Sequence, residues 1–221
     1  RARRIRTPAR RRASTLAGAA IAHPARRPQP AAAMRRAAGA LALAFLLCGC
    51  ATPSARPTAQ DAFFARLSTL CGQAFAGRLV STDTADANFS VQSLIMHVRE
   101  CSADSVRVPF HVGEDRSRTW VVTRTATGLR LKHDHRHEDG TEATLTQYGG
   151  DTVSAGDSAR QEFPADEFSK QLFRDNAIPV SIDNVWALEI RPGDMFAYEL
   201  RRPNRHFRVE FDLAAPIAPA P

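Results

Sequence analysis

The sequence predicts a mainly β chain: a single antiparallel barrel or sandwich of about nine strands, with an N-terminal helix and one further short helix. Three observations carry this expectation. Apolar residues recur with a period of two, most cleanly where Phe207, Val209, Phe211 and Leu213 alternate with His206, Arg208, Glu210 and Asp212. Short apolar-rich runs are separated by turn chemistry at Gly113, Gly128, Asp139-Gly140, Pro192-Gly193 and Pro203-Asn204. Helical spacing is confined to two stretches, one near residue 60 and one near residue 170.

Taken in order, residues 50–60 have the Pro/Ser/Ala composition of a tether, and residues 61–213 form the β domain. Thr58 with Asp61 three residues later makes a capping-box start. Phe63, Phe64, Leu67, Leu70 and Cys71 then follow at helical spacing, so a helix is expected over about 59–73, ending near Gly72. Strands are expected at 75–80, 93–100, 105–112, 118–125, 129–137, 142–148, 184–190, 195–201 and 206–213. A second helix fits 165–176, where Phe168, Leu172 and Phe173 share a face, and the tail 214–221 is expected to be disordered or extended. Nearly sequential meanders favour an up-and-down barrel, loosely similar to the lipocalin superfamily, although the Gly-x-Trp signature of that group is missing.

The net charge of +7 points at first to nucleic acid, but its distribution removes that reading. Residues 1–49 hold 11 of the 30 basic residues and no acid, which leaves 19 basic and 23 acidic residues from Cys50 on. The body is mildly acidic, so no nucleic-acid partner is expected.

Met34 is followed by Arg35-Arg36, an apolar run from Ala37 to Leu47, and Cys48-Gly49-Cys50. A basic segment, a short apolar segment and small residues at the cut site make residues 34–49 a signal peptide. No run reaches the roughly 18 apolar residues of a membrane-crossing helix. Leu47-Cys48-Gly49-Cys50 resembles the bacterial lipobox, and that resemblance implies a diacylglycerol thioether and an N-acyl chain such as palmitate on Cys50. Several acyl chains anchor stably where one binds marginally. The resemblance places the protein in the cell envelope, lipid-anchored to the outer membrane and facing the periplasm; a plain signal peptide would instead give a secreted or periplasmic protein. Residues 1–33, rich in Arg, Ala and Pro, are expected to be translated upstream DNA or a disordered arm.

With Cys48 lost and Cys50 acylated, Cys71 and Cys101 remain, and two cysteines in an exported chain predict one disulfide. FHVGEDRSRTWVVTR (110–124), LRLKHDHRHEDG (129–140), YGGDT (148–152), RQEFPAD (160–166) and FRVEFDL (207–213) resemble a family of secreted proteins and lipoproteins of Gram-negative bacteria. Over roughly 70–213 the resemblance implies export and brings no activity with it.

The strongest local chemistry is His133-Asp134-His135-Arg136-His137. On a strand, the three histidines share a face with Leu129 and Leu131, while Arg130, Lys132, Asp134 and Arg136 occupy a face expected to be wet. If Asp139-Gly140 is a two-residue type I′ turn, His137 faces Glu142, His135 faces Thr144 and His133 faces Thr146. His133, His135, His137 and Glu142 would then be candidate ligands for a transition metal such as zinc, iron, manganese or nickel. Gly128, His135, His137, Glu142 and Gly149 resemble half of the cupin motif with one extra residue, and the second half is absent. The His-x-His-x-Asp-His pattern of metallo-β-lactamase-like hydrolases lacks its Asp here. The alternative is a hydrogen-bonded polar strip with Tyr148, Thr144 and Glu142 as partners.

Other groups read more plainly. Residues 114–118 look like a solvated hairpin tip, His111 is expected to face solvent, and Trp120 and Trp186 are expected in the core. No nucleophile elbow, Walker or Rossmann pattern occurs, so no cofactor is expected beyond a possible metal. Two functions follow: a non-catalytic envelope lipoprotein binding a partner or small ligand, or a His-rich metal-binding module, with or without metal-dependent enzyme activity.

Overall fold

The capping box forms as expected at the start of α1 (Ala59–Thr69): Thr58 Oγ1 accepts the Asp61 N–H at 3.0 Å, and the Asp61 carboxylate accepts the Thr58 N–H at 3.0 Å. These atoms come from a computed structural model that describes residues 56–219. The signal peptide, Cys50, residues 1–33 and most of the tether lie outside the described residues. α1 stops earlier than its apolar spacing suggests. Gly72, at φ +82°, donates its N–H to Val98 O at 2.7 Å and commits the chain to the sheet.

From there the chain is mainly β. The strands are β1 (Ala74–Leu79), β2 (Leu94–His97), β3 (Glu100–Cys101), β4 (Ser105–Val112), β5 (Asp115–Thr125), β6 (Gly128–His135) and β7 (Tyr148–Asp151). They continue with β8 (Arg160–Pro164), β9 (Val185–Arg191), β10 (Met195–Arg202) and β11 (Arg205–Ile217). Between β1 and β2 lies a one-turn helix α2 (Ala87–Ser90), and between β8 and β9 lies α3 (Glu167–Asp175). The strands pair in the order β7-β6-β5-β4-β2-β1-β11-β10-β9-β8, all antiparallel, with β3 added to β4. Neighbours in space are neighbours in sequence, except where β1 meets β11 and where β2 meets β4 past the short β3, so the sheet curls into a nearly closed up-and-down barrel.

The seam lies in mid-chain, between β7 and β8. Asp166 N–H bonds Gly149 O at 2.9 Å, and the buried Ser169 hydroxyl bridges Gly149 N–H (2.7 Å) and Gly149 O (2.9 Å). Two glycines make this possible. A Cβ at Gly149 would lie 1.9 Å from Leu131 O, and one at Gly150 would lie 1.8 Å from Pro164 O.

Several elements depart from the sequence expectation for physical reasons. The run 142–148 is not a strand: after the isolated Arg136·Glu142 bridge the chain loops, and pairing with β6 resumes at His133·Tyr148. The sequence does not predict β8, because five residues ending in Pro164 show little periodicity until a neighbour buries Gln161 and Phe163. β11 runs past Leu213 to Ile217, since Phe75 and Ala74 pair with Pro216 and Ile217 beyond a register shift. The predicted disulfide is present, with Cys71 and Cys101 Cα atoms 6.3 Å apart, fastening the end of α1 to β3. Phe63, Phe64 and Leu67 of α1 close one end of the barrel over a core that includes Phe75, Met96, Leu129 and Leu131. Among the described residues no helix is long and apolar enough to cross a membrane.

Candidate functional site: the mouth of the barrel

The end opposite α1 gathers the β10–β11 turn, the α2 connection, the β6–β7 loop and the segment after α3. Strand alternation decides what points inward there. On β6, Leu129, Leu131 and His133 are buried in sequence, and His135 follows at the lip. On β5, Val122 and Trp120 are buried and Arg118 follows, paired directly across from His135. On β10, Tyr198 is buried and Leu200 stands one pleat nearer the mouth. The inner wall therefore changes from aliphatic to aromatic to polar along the barrel axis.

Aromatic packing holds these groups in place. The Trp120 ring stacks on Tyr198 at 4.4 Å and on Phe110 at 4.8 Å. His133 stacks on Tyr148 at 4.6 Å and leans on Trp186 at 5.0 Å. His133 Nδ1 lies 3.1 Å from Tyr148 O, a carbonyl that can only accept, so the proton sits on Nδ1. Nε2 is then the acceptor for the Tyr198 hydroxyl at 2.9 Å.

Burial sets the electrostatics. It drives His133 down to about 3 and Tyr148 up to about 12, and it raises Tyr198 well above its ordinary value. His135 is also lowered, first by burial and then by the Arg118 charge. Charge at the mouth comes from Arg118, Arg202 and the Arg205–Asp86 pair, while the buried histidine and tyrosines are neutral.

Two cavities open here. One, of about 160 Å³, is lined by Asp86, Phe89, Arg118, Trp120, His135 and Phe207 among others. The second, of about 270 Å³, is lined by Leu145, Phe173, Ile178, Trp186 and Arg202 among others. Both share His135, Tyr148, Tyr198 and Leu200, so they lie on either side of one set of side chains.

The residues marked in the sequence as metal ligands are only partly brought together. His133 and His135 are neighbours, with ring centroids 6.5 Å apart, but both ring nitrogens of His133 are engaged with tyrosines. His137 is exposed, and the Glu142 carboxylate bonds Arg136 and Gln147. The register differs from that of a two-residue turn. Gly140, at φ +84°, bonds His137 O through its N–H, and His137 N–H bonds Thr141 O, giving a three-residue loop that moves His137 off Glu142. Among the described residues no group of three or more His, Cys, Asp or Glu side chains is arranged to hold a metal ion.

Two expectations about solvent are corrected. Asp134, on the outer face, is buried beneath Arg107 at 2.6 Å, Arg136 and Gln147. Burial would raise its carboxyl, but hydrogen bonds from the two arginines outweigh that and lower it. His111, expected in water, is 6% exposed beside a β4 register shift, and its Nδ1 has no hydrogen-bond partner.

Sequence reasoning missed Arg118, Tyr198, Asp86 and Phe89 as lining residues. Arg118 was legible: it shares parity with Trp120 and Val122, so it had to point inward. Phe89 and Asp86 lie on a short helical segment whose inward side nothing in its spacing reveals. Comparison with protein-family models, curated proteins and solved structures returns no match.

Proposed function

We propose that the chain is an envelope lipoprotein whose β domain binds a small ligand in the mouth of the barrel, without catalysing a reaction. The observation that carries this reading is the pair of aromatic-walled cavities around His135, Tyr148 and Tyr198, at an end where the barrel could have been filled with apolar side chains as it is beneath α1. Binding rather than proton transfer is favoured because His133, Tyr148 and Tyr198 are all pushed away from neutral pH and keep one charge state there. The lipobox at 47–50 and the signal peptide at 34–49 support export, lipidation at Cys50 and an outer-membrane position facing the periplasm. The Cys71–Cys101 disulfide fits an oxidising compartment.

Two experiments test this. Native mass spectrometry of the full chain against a small-molecule panel should find compounds that bind with one-to-one stoichiometry, and competition between them should show a shared site. A panel without a single binder would contradict the ligand reading. Labelled palmitate should enter the wild type and not Cys50→Ala, and globomycin should block processing. Labelling of the variant would overturn the anchor.

A further inference from the structure

From the geometry of the mouth, we infer that the smaller cavity takes a one-ring aromatic carboxylate, with its ring against Phe89, Phe207 and Trp120 and its carboxylate on Arg118 and His135. This rests on the ligand-binding reading above and names the ligand class. Size comes first. An apolar cavity of about 150 Å³ holds a single benzene ring, and this one is about 160 Å³.

Charge decides the rest. Three charged side chains line the cavity: Asp86, Arg118 and Arg205. Asp86 and Arg205 neutralise one another, with both Asp86 oxygens bonded by the two terminal nitrogens of the guanidinium, and Asp83 takes a further bond. Arg118 differs. Among the described residues its one side-chain hydrogen bond runs from Nη1 to Asp115, a residue that does not line the cavity. Arg118 thus lines a space walled by aromatic rings with the other N–H groups of its planar fork unbonded among the described residues, an arrangement that matches a carboxylate. His135, directly opposite Arg118 across β5 and β6, adds a neutral imidazole on the same lip; its Nε2 lies 3.3 Å from the Tyr148 hydroxyl, so Nδ1 is the nitrogen left to donate to a ligand. A cationic ligand would find aromatic walls too, but it would meet Arg118 at the entrance and no unpaired carboxylate.

The chain has two tryptophans, and each lines one of the cavities, so its intrinsic fluorescence reports on the mouth. The full chain would be titrated with benzoate, its neutral analogue benzamide, and benzyltrimethylammonium. Benzoate should change the emission and bind about tenfold or more tightly than benzamide, as expected for a hydrogen-bonded charge. Arg118→Gln should abolish that preference and leave benzamide binding unchanged. Arg118→Lys keeps the charge and should retain part of the preference. Equal binding of benzoate and benzamide, or tighter binding of the cation, would overturn the ligand class while leaving the cavity a binding site. If none of the three probes binds, this inference falls. The broader reading falls with it only if the small-molecule panel is also silent.

Discussion

At one end of the barrel, α1 lays Phe63, Phe64 and Leu67 across the strand ends, and the Cys71–Cys101 bond fastens it there. At the other, the strands carry Arg118, His135, Tyr148 and Tyr198 inward, and Phe89 of α2 and Phe173 of α3 stand beside them around open cavities. The same alternation builds both ends, so the difference lies in side-chain chemistry and in the helix that caps one of them. Burying a polar group costs free energy unless each donor and acceptor finds a partner. The mouth meets that cost with the Tyr148–His133–Tyr198 chain of hydrogen bonds, whereas the closed end avoids it by having little to satisfy. One end is thus built for stability, and the other keeps oriented polar groups where a solute can reach them.

That contrast can be broken from either side. Phe63→Ala should cost about 3–5 kcal/mol, because it leaves a cavity under α1 that the strands cannot refill. Denaturant unfolding would show it as a lower midpoint. Loss of the disulfide in Cys71→Ala/Cys101→Ala should cost about 3–4 kcal/mol, the chain-entropy value for a 30-residue separation. Both changes should leave ligand affinity intact in the fraction that stays folded.

At the mouth the largest effect should come from acid. His133 is neutral in the folded protein with its pKa near 3, against 6.5 when exposed. Below pH 6.5 the unfolded chain takes up a proton that the folded chain refuses, so stability falls by up to about 1.4 kcal/mol per pH unit as pH drops toward 3. Carboxylates act lower. Burial would raise Glu199, but Arg160 and Arg208 bring it to about 2 from 4.5, so its contribution is whole above pH 4.5 and is lost below. Unfolding measured between pH 6.5 and 4.5 therefore isolates the histidines, and His133→Gln should flatten the slope there.

Tyr198→Phe should cost about 1–3 kcal/mol, since it strands the buried His133 Nε2 without its donor. Smallest of all, Arg118→Gln should change stability by about 0.5 kcal/mol or less, because its ion pair with Asp115 is partly solvated. A larger loss would make Arg118 a structural residue instead of a recognition residue.

Much of the fold was legible because its signals are local. Period-two alternation located β4, β9, β10 and most of β11, and Thr58 with Asp61 located α1. Cysteine counting located the disulfide. β8 and the seam were not legible: they depend on Gly149 and Gly150 meeting Leu131 and Pro164 across the barrel, which no window of sequence contains. In the site, parity turned His133 and His135 inward correctly. The β6–β7 register then failed, because Gly140 closes a three-residue loop and Gln147 adopts φ +57° beyond it, inserting residues that a simple hairpin omits. The partners of His133 are consequently tyrosines from β7 and β10, one of them 65 residues away.

The most direct test of the account is amide hydrogen exchange on the full chain with and without saturating benzoate. Slower exchange is expected in α2, around 118–120 and 133–135, and along 198–207, with residues 59–75 unchanged. Protection that appears at α1, or spreads evenly over both ends, would contradict the assignment of binding to the mouth.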